Sequence, residues 1–149
     1  MPVKRVTISQ LAESEEMPRL EREYTEECAH ELFKTGEIDW DTYLKMENAG
    51  LLAVFGVYDH DARLQGFAVL VRSKSLHKGI KTCILETVFV SKAERKFGLG
   101  GILLERCRRC AKTLGAKVLI VNAPTGSDLA LAMSMRLGGP AYQSYFWEV

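Results

Sequence analysis

The chain has 149 residues, 47% of them hydrophobic, a length that suits one domain with a buried core and excludes two domains of ordinary size. Its 20 basic and 19 acidic residues leave a formal charge of +1, which gives no reason to expect nucleic acid or a membrane surface as a partner. There is no apolar stretch of about 18 residues and no signal-peptide core. We therefore expect a single cytoplasmic domain over residues 1–149.

The first half of the chain predicts one strand, two helices and three further strands. Alternating β-branched residues from Val3 to Ser9 predict a half-buried strand. Apolar residues at three- and four-residue spacing predict a helix from Met17 that ends near Gly36 and has an acidic outer face, and Asp39 caps a shorter helix. Three apolar segments with short polar connections then predict an antiparallel meander, formed by Leu51–Asp59, Leu64–Val71 and Lys81–Val90.

The second half predicts a strand-loop-helix-strand unit. A polar loop from Ser91 to Phe97 leads into an amphipathic helix that ends before Gly115, and residues 118–121 form a buried strand. This helical crossover requires two parallel strands. Ser127 caps a further helix, and residues 142–149 predict a last, aromatic strand. The predicted fold class is α/β (α+β), with a mixed sheet that combines the antiparallel meander with the parallel unit and has helices on both faces.

A glycine-rich segment, Arg95-Lys96-Phe97-Gly98-Leu99-Gly100-Gly101, lies where this helix begins. Glycines at a helix start leave backbone N–H groups free to bind a phosphate, and the positive end of the helix favours an anion. A dinucleotide-binding turn is excluded because its glycines follow the strand directly, whereas here five residues separate Val90 from the corner at Lys96-Phe97-Gly98. Position 103, where the G-x-G-x-x-G motif would have its last glycine, is leucine. A P-loop is excluded because no Lys-Ser/Thr pair follows the glycines.

Arg95-x-x-Gly98-x-Gly100 resembles the R/Q-x-x-G-x-G/A signature of the GNAT superfamily of N-acetyltransferases, and the order of predicted elements is similar to that family over essentially the whole chain. The small stand-alone members from bacteria and phages are the nearest in kind. The resemblance implies transfer of an acetyl group from acetyl-CoA to a primary amine by direct attack on the thioester, without a metal. It also implies coenzyme A contacts from Val88, Phe89, Val90, Arg95, Lys96, Phe97, Gly98, Leu99, Gly100, Gly101 and Ser127. The Arg95 side chain either contacts phosphate or supports the loop.

Three residues are candidates for the chemistry. Glu86 interrupts an apolar strand, and burial there would raise its pKa towards that of a useful base, although a glutamate on a half-exposed face is the equally weighted alternative. The tyrosine that serves many GNAT enzymes as general acid corresponds here to Ser134, a poorer proton donor. Tyr145 on the predicted last strand is a substitute, as is water.

The family's acceptor pocket corresponds here to acidic and aromatic residues of the first two helices. Glu23, Tyr24 and Glu27 of the first helix, with Trp40 and Tyr43 of the second, would bind a cationic amine by charge and by contact with an aromatic face. The alternative is an ordinary solvated face. His77 is a candidate for substrate contact, and a solvated loop histidine is the alternative. We expect a small-molecule or protein amine as partner, no nucleic acid and no membrane, and leave a homodimer open.

Two other functions fit the same sequence. Because Ser134 replaces the tyrosine, the chain would instead be a weak or inactive GNAT-fold protein that binds acyl-CoA or a protein partner. A different nucleotide-binding α/β domain is the third interpretation. The pair Cys107-x-x-Cys110 lies within a helix and has no second pair or histidine nearby, so we expect buried thiols there rather than a metal site.

Overall fold

The computed structural model describes residues 2–149. In chain order the strands and helices are β1 (Val3–Val6), α1 (Ile8–Ala12), α2 (Met17–Cys28), α3 (Trp40–Asn48), β2 (Leu52–Tyr58), β3 (Leu64–Ser75), β4 (Ile80–Val90), α4 (Leu99–Thr113), β5 (Val118–Val121) and α5 (Asp128–Leu137). Two short 3₁₀ segments, Glu31–Phe33 and Lys92–Phe97, follow α2 and β4. Among these residues no helix combines the length and apolarity needed to cross a bilayer.

The strands form one sheet in the order β1-β2-β3-β4-β5. The first four strands pair antiparallel, and β5 pairs parallel to β4 through Thr82–Leu85. The predicted meander and the order and direction of the predicted parallel unit are confirmed, and so is the fold class. The burial predicted for residues 118–121 is wrong, because alternate residues of β5 are exposed. Since α4 connects two parallel neighbours, its N-terminus lies beside the end of β4, at the glycine-rich segment.

Helices cover both faces of the sheet because the strand residues alternate in direction. On one face, α4 packs Leu103, Cys107 and Ala111 against inward-facing residues of β1 to β4. On the other face, α1 and α2 bury Leu11 and Leu20 against residues such as Val54, Phe67 and Phe89. Burial raises the pKa of the Cys107 thiol to about 12, which keeps it protonated and suits the predicted structural role.

A β-bulge interrupts the pairing of β3 with β4. Val69 lies opposite Thr87 and Leu70 lies opposite Leu85, so Glu86 has no partner on β3. The extra residue reverses the alternation along β4. Leu85 faces α4, yet Phe89, four residues later, faces α2. Because of the bulge, the side chains of Thr87 and Phe89 face the side of the sheet that α2 and α3 cover.

The N-terminal elements differ in their bounds from those predicted. The first strand ends at Val6, because Thr7 starts a short helix with a reciprocal cap in which its hydroxyl accepts from Gln10 and the Gln10 side chain accepts from the Thr7 N–H. This helix was not predicted. The first long helix ends at Cys28 rather than near Gly36, because Ala29 is extended.

The predicted last strand over residues 142–149 is wrong. No strand is assigned beyond Val121 in the described part of the chain, and Tyr142, Tyr145 and Trp147 are more than four-fifths exposed. The ring of Phe146 instead packs edge-on against His30 and Phe33, at centroid distances of 4.8 and 5.4 Å. Aromatic strand propensity depends on a partner strand, and here ring contacts hold the segment elsewhere.

Candidate active site

The end of β4 offers a free strand edge. β4 continues to Val90, whereas its pairing with β5 involves only Thr82–Leu85. On the β5 side, the backbone from the bulge to Val90 therefore has no neighbouring strand in the described chain. Unpaired N–H and C=O groups of this kind can bond an extended ligand as a further strand would.

The glycine-rich segment forms the turn between β4 and α4. Gly98 has φ of 73°, a left-handed conformation that suits glycine, and its N–H donates to the Arg95 carbonyl, which closes the 3₁₀ segment. A Cβ added at Gly100 would meet no atom within 4 Å, so the space in front of the first turn of α4 is open. An open helix N-terminus beside a free strand edge fits the pyrophosphate and pantetheine parts of coenzyme A.

The Arg95 guanidinium supports this loop with four of its five N–H groups. Its Nε donates to the Val90 carbonyl at 2.9 Å, and its Nη atoms bond both carboxylate oxygens of Glu27 at 2.5 and 2.7 Å. Asp128, at the start of α5, accepts a further bond at 2.9 Å. We call Glu27, Arg95 and Asp128 the ion triad. It joins α2, the loop and α5, so of the two predicted roles for Arg95 the geometry favours support of the loop.

A second polar network holds the start of the loop. Ser91 is only 2% exposed, and its hydroxyl donates to Glu23, which is also paired with Arg19 at 2.8 Å. Arg19 also donates to the side-chain oxygen of Gln65, and the backbone carbonyl of Gln65 accepts from the Ser91 N–H. The carboxylates of Glu23 and Glu27, predicted to bind a cationic acceptor, are thus both paired with arginines of this chain.

Tyr24, Tyr43 and Thr87 lie together on the α2 and α3 side of the bulge, with the exposed Glu86 nearby. Thr87 lies close to the hydroxyls of both Tyr24 and Tyr43, and the charge of Glu86 is near enough to affect both tyrosines. We call Tyr24, Tyr43, Glu86 and Thr87 the bulge cluster. Burial raises the pKa of Tyr24 and of Tyr43, and the nearby Glu86 charge raises both further, so the two hydroxyls keep their protons at neutral pH.

The structure places the remaining predicted residues as follows. Glu86 is exposed, so its predicted burial is wrong, but it lies in the bulge cluster beside Tyr24. Ser127 caps α5 by accepting from the Ala130 N–H, and Ser134 is exposed on that helix. Tyr145 is 83% exposed on the C-terminal segment, where it donates to Gln143, and does not join the cluster.

His77 lies far from these residues. It belongs to the short turn that joins β3 to β4, whereas the glycine-rich segment follows the other end of β4. A strand advances about 3.3 Å per residue, so the ten steps from Ile80 to Val90 place His77 roughly 30 Å from the loop. This position does not bring His77 to the other candidate residues, and the alternative of a solvated loop histidine fits the exposed turn.

Several residues of the site were not predicted from the sequence. Asp128 gave no signal because a charged residue in the first turn of a helix is common, and its pairing with Arg95 joins positions 33 residues apart. Thr87 belongs to an apolar strand, and only the bulge turns it towards the tyrosines. Arg136 on α5 approaches Gly101, with an Nη atom 3.0 Å from where a Cβ would be. Among residues 2–149, no three His, Cys, Asp or Glu side chains are grouped so as to hold a metal ion.

A family model described as the acetyltransferase (GNAT) family matches residues 13–138. The chain belongs to the GNAT acetyltransferase family. This confirms the resemblance carried by Arg95, Gly98 and Gly100 and the predicted enzyme class, an N-acetyltransferase. The interpretation as a different nucleotide-binding domain is wrong. No curated protein sequence matches the chain significantly.

Solved structures of the same fold agree with this assignment. A ribosomal-protein-alanine N-acetyltransferase from Brucella melitensis biovar Abortus 2308 superposes with a TM-score of 0.70 at 15% identity, covering 100% of both chains. An aminoglycoside acetyltransferase from an uncultured soil metagenomic sample gives 0.70 at 17% identity, covering 99% of this chain and 95% of that one. An acetyl transferase from Pyrococcus furiosus, described as putative, gives 0.66 at 18%, covering 99% and 98%. At these identities the similarity establishes the fold.

Proposed function

We propose that this GNAT protein transfers an acetyl group from acetyl-CoA to a primary amine by direct attack of the amine on the thioester. The observation that carries the proposal is the free edge of β4 ending beside the open N-terminus of α4. Free backbone groups of Val88 to Val90 would bond the pantetheine arm, and the amides of Leu99 to Gly101 would bond the pyrophosphate. The thioester would then lie near the bulge.

Glu86 is the proposed base. It is exposed at the bulge, and within residues 2–149 it forms no ion pair, whereas the neighbouring acids Glu23 and Glu27 are paired with arginines. Its carboxylate can take the proton from an incoming ammonium group, directly or through a water, so that the neutral amine attacks. The C–N bond then forms and the C–S bond breaks, and the second proton, which the nitrogen loses as the amide forms, passes through water to the departing thiolate.

The acceptor would bind against the bulge cluster. Tyr24 and Tyr43 provide aromatic faces and protonated hydroxyls, and Glu86 provides the free negative charge, a combination suited to a cationic amine. Both a small molecule and an amine on a protein fit this chemistry. The predicted contacts of Glu23 and Glu27 with the acceptor would require them to leave their arginines, so we place the main acceptor contact at Glu86.

The departing thiolate needs less assistance than the amine. An ordinary thiol has a pKa of about 8.5, so a thiolate is an adequate leaving group near neutral pH even without a strong acid. Ser134 or water would then complete the protonation, in place of the tyrosine of other family members. The alternative, a weak or inactive binder of acyl-CoA, rests on this same replacement and on the exposed position of Tyr145.

Binding and turnover are tested separately. Coenzyme A is expected to raise the melting temperature, whereas NAD and ATP are not, and no shift with coenzyme A would overturn the proposal. Thiol release from acetyl-CoA is then followed over a panel of primary amines. Loss of a general base costs roughly 10²- to 10⁴-fold in rate, which is the expected effect of Glu86→Gln on kcat.

The matched control is Glu15→Gln, an exposed carboxylate in the turn between α1 and α2, for which wild-type rates are expected. If Glu86→Gln turns over as fast as the wild type, Glu86 is not the base. If coenzyme A binds and no amine releases thiol, the non-catalytic alternative holds.

A further inference from the structure

Arg136 reaches from the last turn of α5 to the first turn of α4. One of its Nη atoms lies 3.0 Å from the position that a Cβ at Gly101 would take. The φ of Gly101 is not left-handed, so the backbone there would accept any residue. The guanidinium occupies the space that a side chain at position 101 would need, and the glycine permits this close approach.

The charge of Arg136 is uncompensated in this position. Within residues 2–149 no carboxylate lies within 4.0 Å of it, whereas the other arginine at the loop, Arg95, is paired with two carboxylates. At the N-terminus of α4 this cation opposes the dipole of α4, whereas its place in the last turn of α5 is favourable to the dipole of α5. A bound anion would relieve both unfavourable terms, because it would pair with the guanidinium and with the free N–H groups of the turn.

The ion triad explains why Arg95 does not supply positive charge to a ligand at the loop. Four of the five N–H groups of Arg95 donate to Val90, Glu27 and Asp128. The two carboxylates together carry more negative charge than the one positive charge of the guanidinium. The residue that the sequence motif suggests as the phosphate ligand is therefore neutralised by the protein itself. Positive charge for a ligand at Gly98 to Gly101 has to come from another side chain.

We propose that Arg136 binds the pyrophosphate of the acyl-CoA at the N-terminus of α4, while Arg95 positions the loop. This inference rests on the proposed function, since it assigns a ligand contact within the coenzyme A site. A guanidinium bonds two phosphate oxygens with its planar pair of donors, which a lysine cannot reproduce.

The test compares Arg136→Gln with the wild type for three ligands: coenzyme A, dephospho-coenzyme A and pantetheine. We expect Kd to rise about tenfold for the first two, with a shallower dependence on salt, and to remain unchanged for pantetheine, which lacks the pyrophosphate. Arg136→Lys is expected to recover part of the affinity. Since Arg136 is exposed, the melting temperature without ligand should stay the same.

Lys112→Gln is the control, because it removes one positive charge at the far end of α4, about 16 Å along the helix from Gly101. Its Kd values are expected to match the wild type. Equal Kd values for Arg136→Gln and the wild type would overturn the assignment, as would weaker binding of coenzyme A alone, which would place Arg136 at the 3′-phosphate. If the wild type binds none of the three ligands, the proposed function fails and this inference fails with it.

Discussion

Gly98 and Gly100 stand two residues apart and have different physical reasons for being glycine. Gly98 is left-handed, a conformation that costs other residues roughly 1–2 kcal/mol. Gly100 lies in the first turn of α4, where alanine is a better helix former and where no protein atom would touch its Cβ. Stability and ligand binding should therefore respond differently at the two positions.

We expect Gly98→Ala to lower the free energy of unfolding by about 1–2 kcal/mol, as measured by urea denaturation. Gly100→Ala is expected to leave that free energy unchanged or slightly raised, and yet to weaken coenzyme A binding, because its methyl group would stand in the space open to the pyrophosphate. If the Gly100→Ala variant binds coenzyme A as tightly as the wild type, this explanation of the glycine is wrong.

At the scale of elements, the ion triad determines how α2, the loop and α5 are held together. Its two carboxylates differ in environment, because the Glu27 side chain is 30% exposed and bonds Arg95 through both oxygens, while Asp128 is 68% exposed and contributes one bond. A partly buried ion pair with two hydrogen bonds contributes more to stability than an exposed ion pair with one.

Glu27→Gln is therefore expected to lower the free energy of unfolding by about 1–3 kcal/mol and to increase hydrogen exchange in residues 92–98. Asp128→Asn should cost at most about 1 kcal/mol. Glu105→Gln removes an exposed carboxylate that is also paired with arginines, elsewhere on α4, and provides the comparison. If all three variants lose the same stability, the triad does not have the role assigned to it.

Elements whose signal lies within the segment could be predicted from the sequence. The strands of the meander, the helix α4 and the glycine turn each depend on local periodicity or on a local motif, and all three were predicted within a few residues. The bulge at Glu86 was not, because an inserted residue in an apolar strand changes no pattern that a single sequence displays. The pairing of Arg95 with Glu27 joins residues 68 positions apart and has no local signal either.

At the scale of the whole molecule, burial is concentrated in the first three quarters of the chain. Beyond Ala111 no residue is buried, and Leu131, Met135 and Leu137 of α5 are more than three-fifths exposed. The aromatic residues of the C-terminal segment predicted a strand that would have covered part of this surface. That prediction failed because a strand needs a partner edge, which no composition specifies.

Removal of residues 141–149 should therefore cost little. Within residues 2–149 the segment contributes no strand to the sheet, and its ring contacts are those of Phe146 with His30 and Phe33. We expect the free energy of unfolding of the truncated chain, measured in urea, to lie within about 1.5 kcal/mol of that of the full chain. Its binding of coenzyme A should be unchanged. Phe146→Ala in the full chain should reproduce any loss. A truncated chain that fails to fold would show that these residues pair with the sheet.

The bulge at Glu86 has a consequence for how such a chain tolerates change during evolution. Substitution at position 86 leaves the alternation of β4 as it is, whereas deletion of that one residue would restore regular pairing with β3 and exchange the two faces of every later residue. Phe89 would then face α4, and Val88 and Val90 would face α2. Each face would receive side chains that differ in size from those packed there now. The packing of β4 thus depends on the number of residues between Leu85 and Thr87, and the identity of the residue there bears on the chemistry instead.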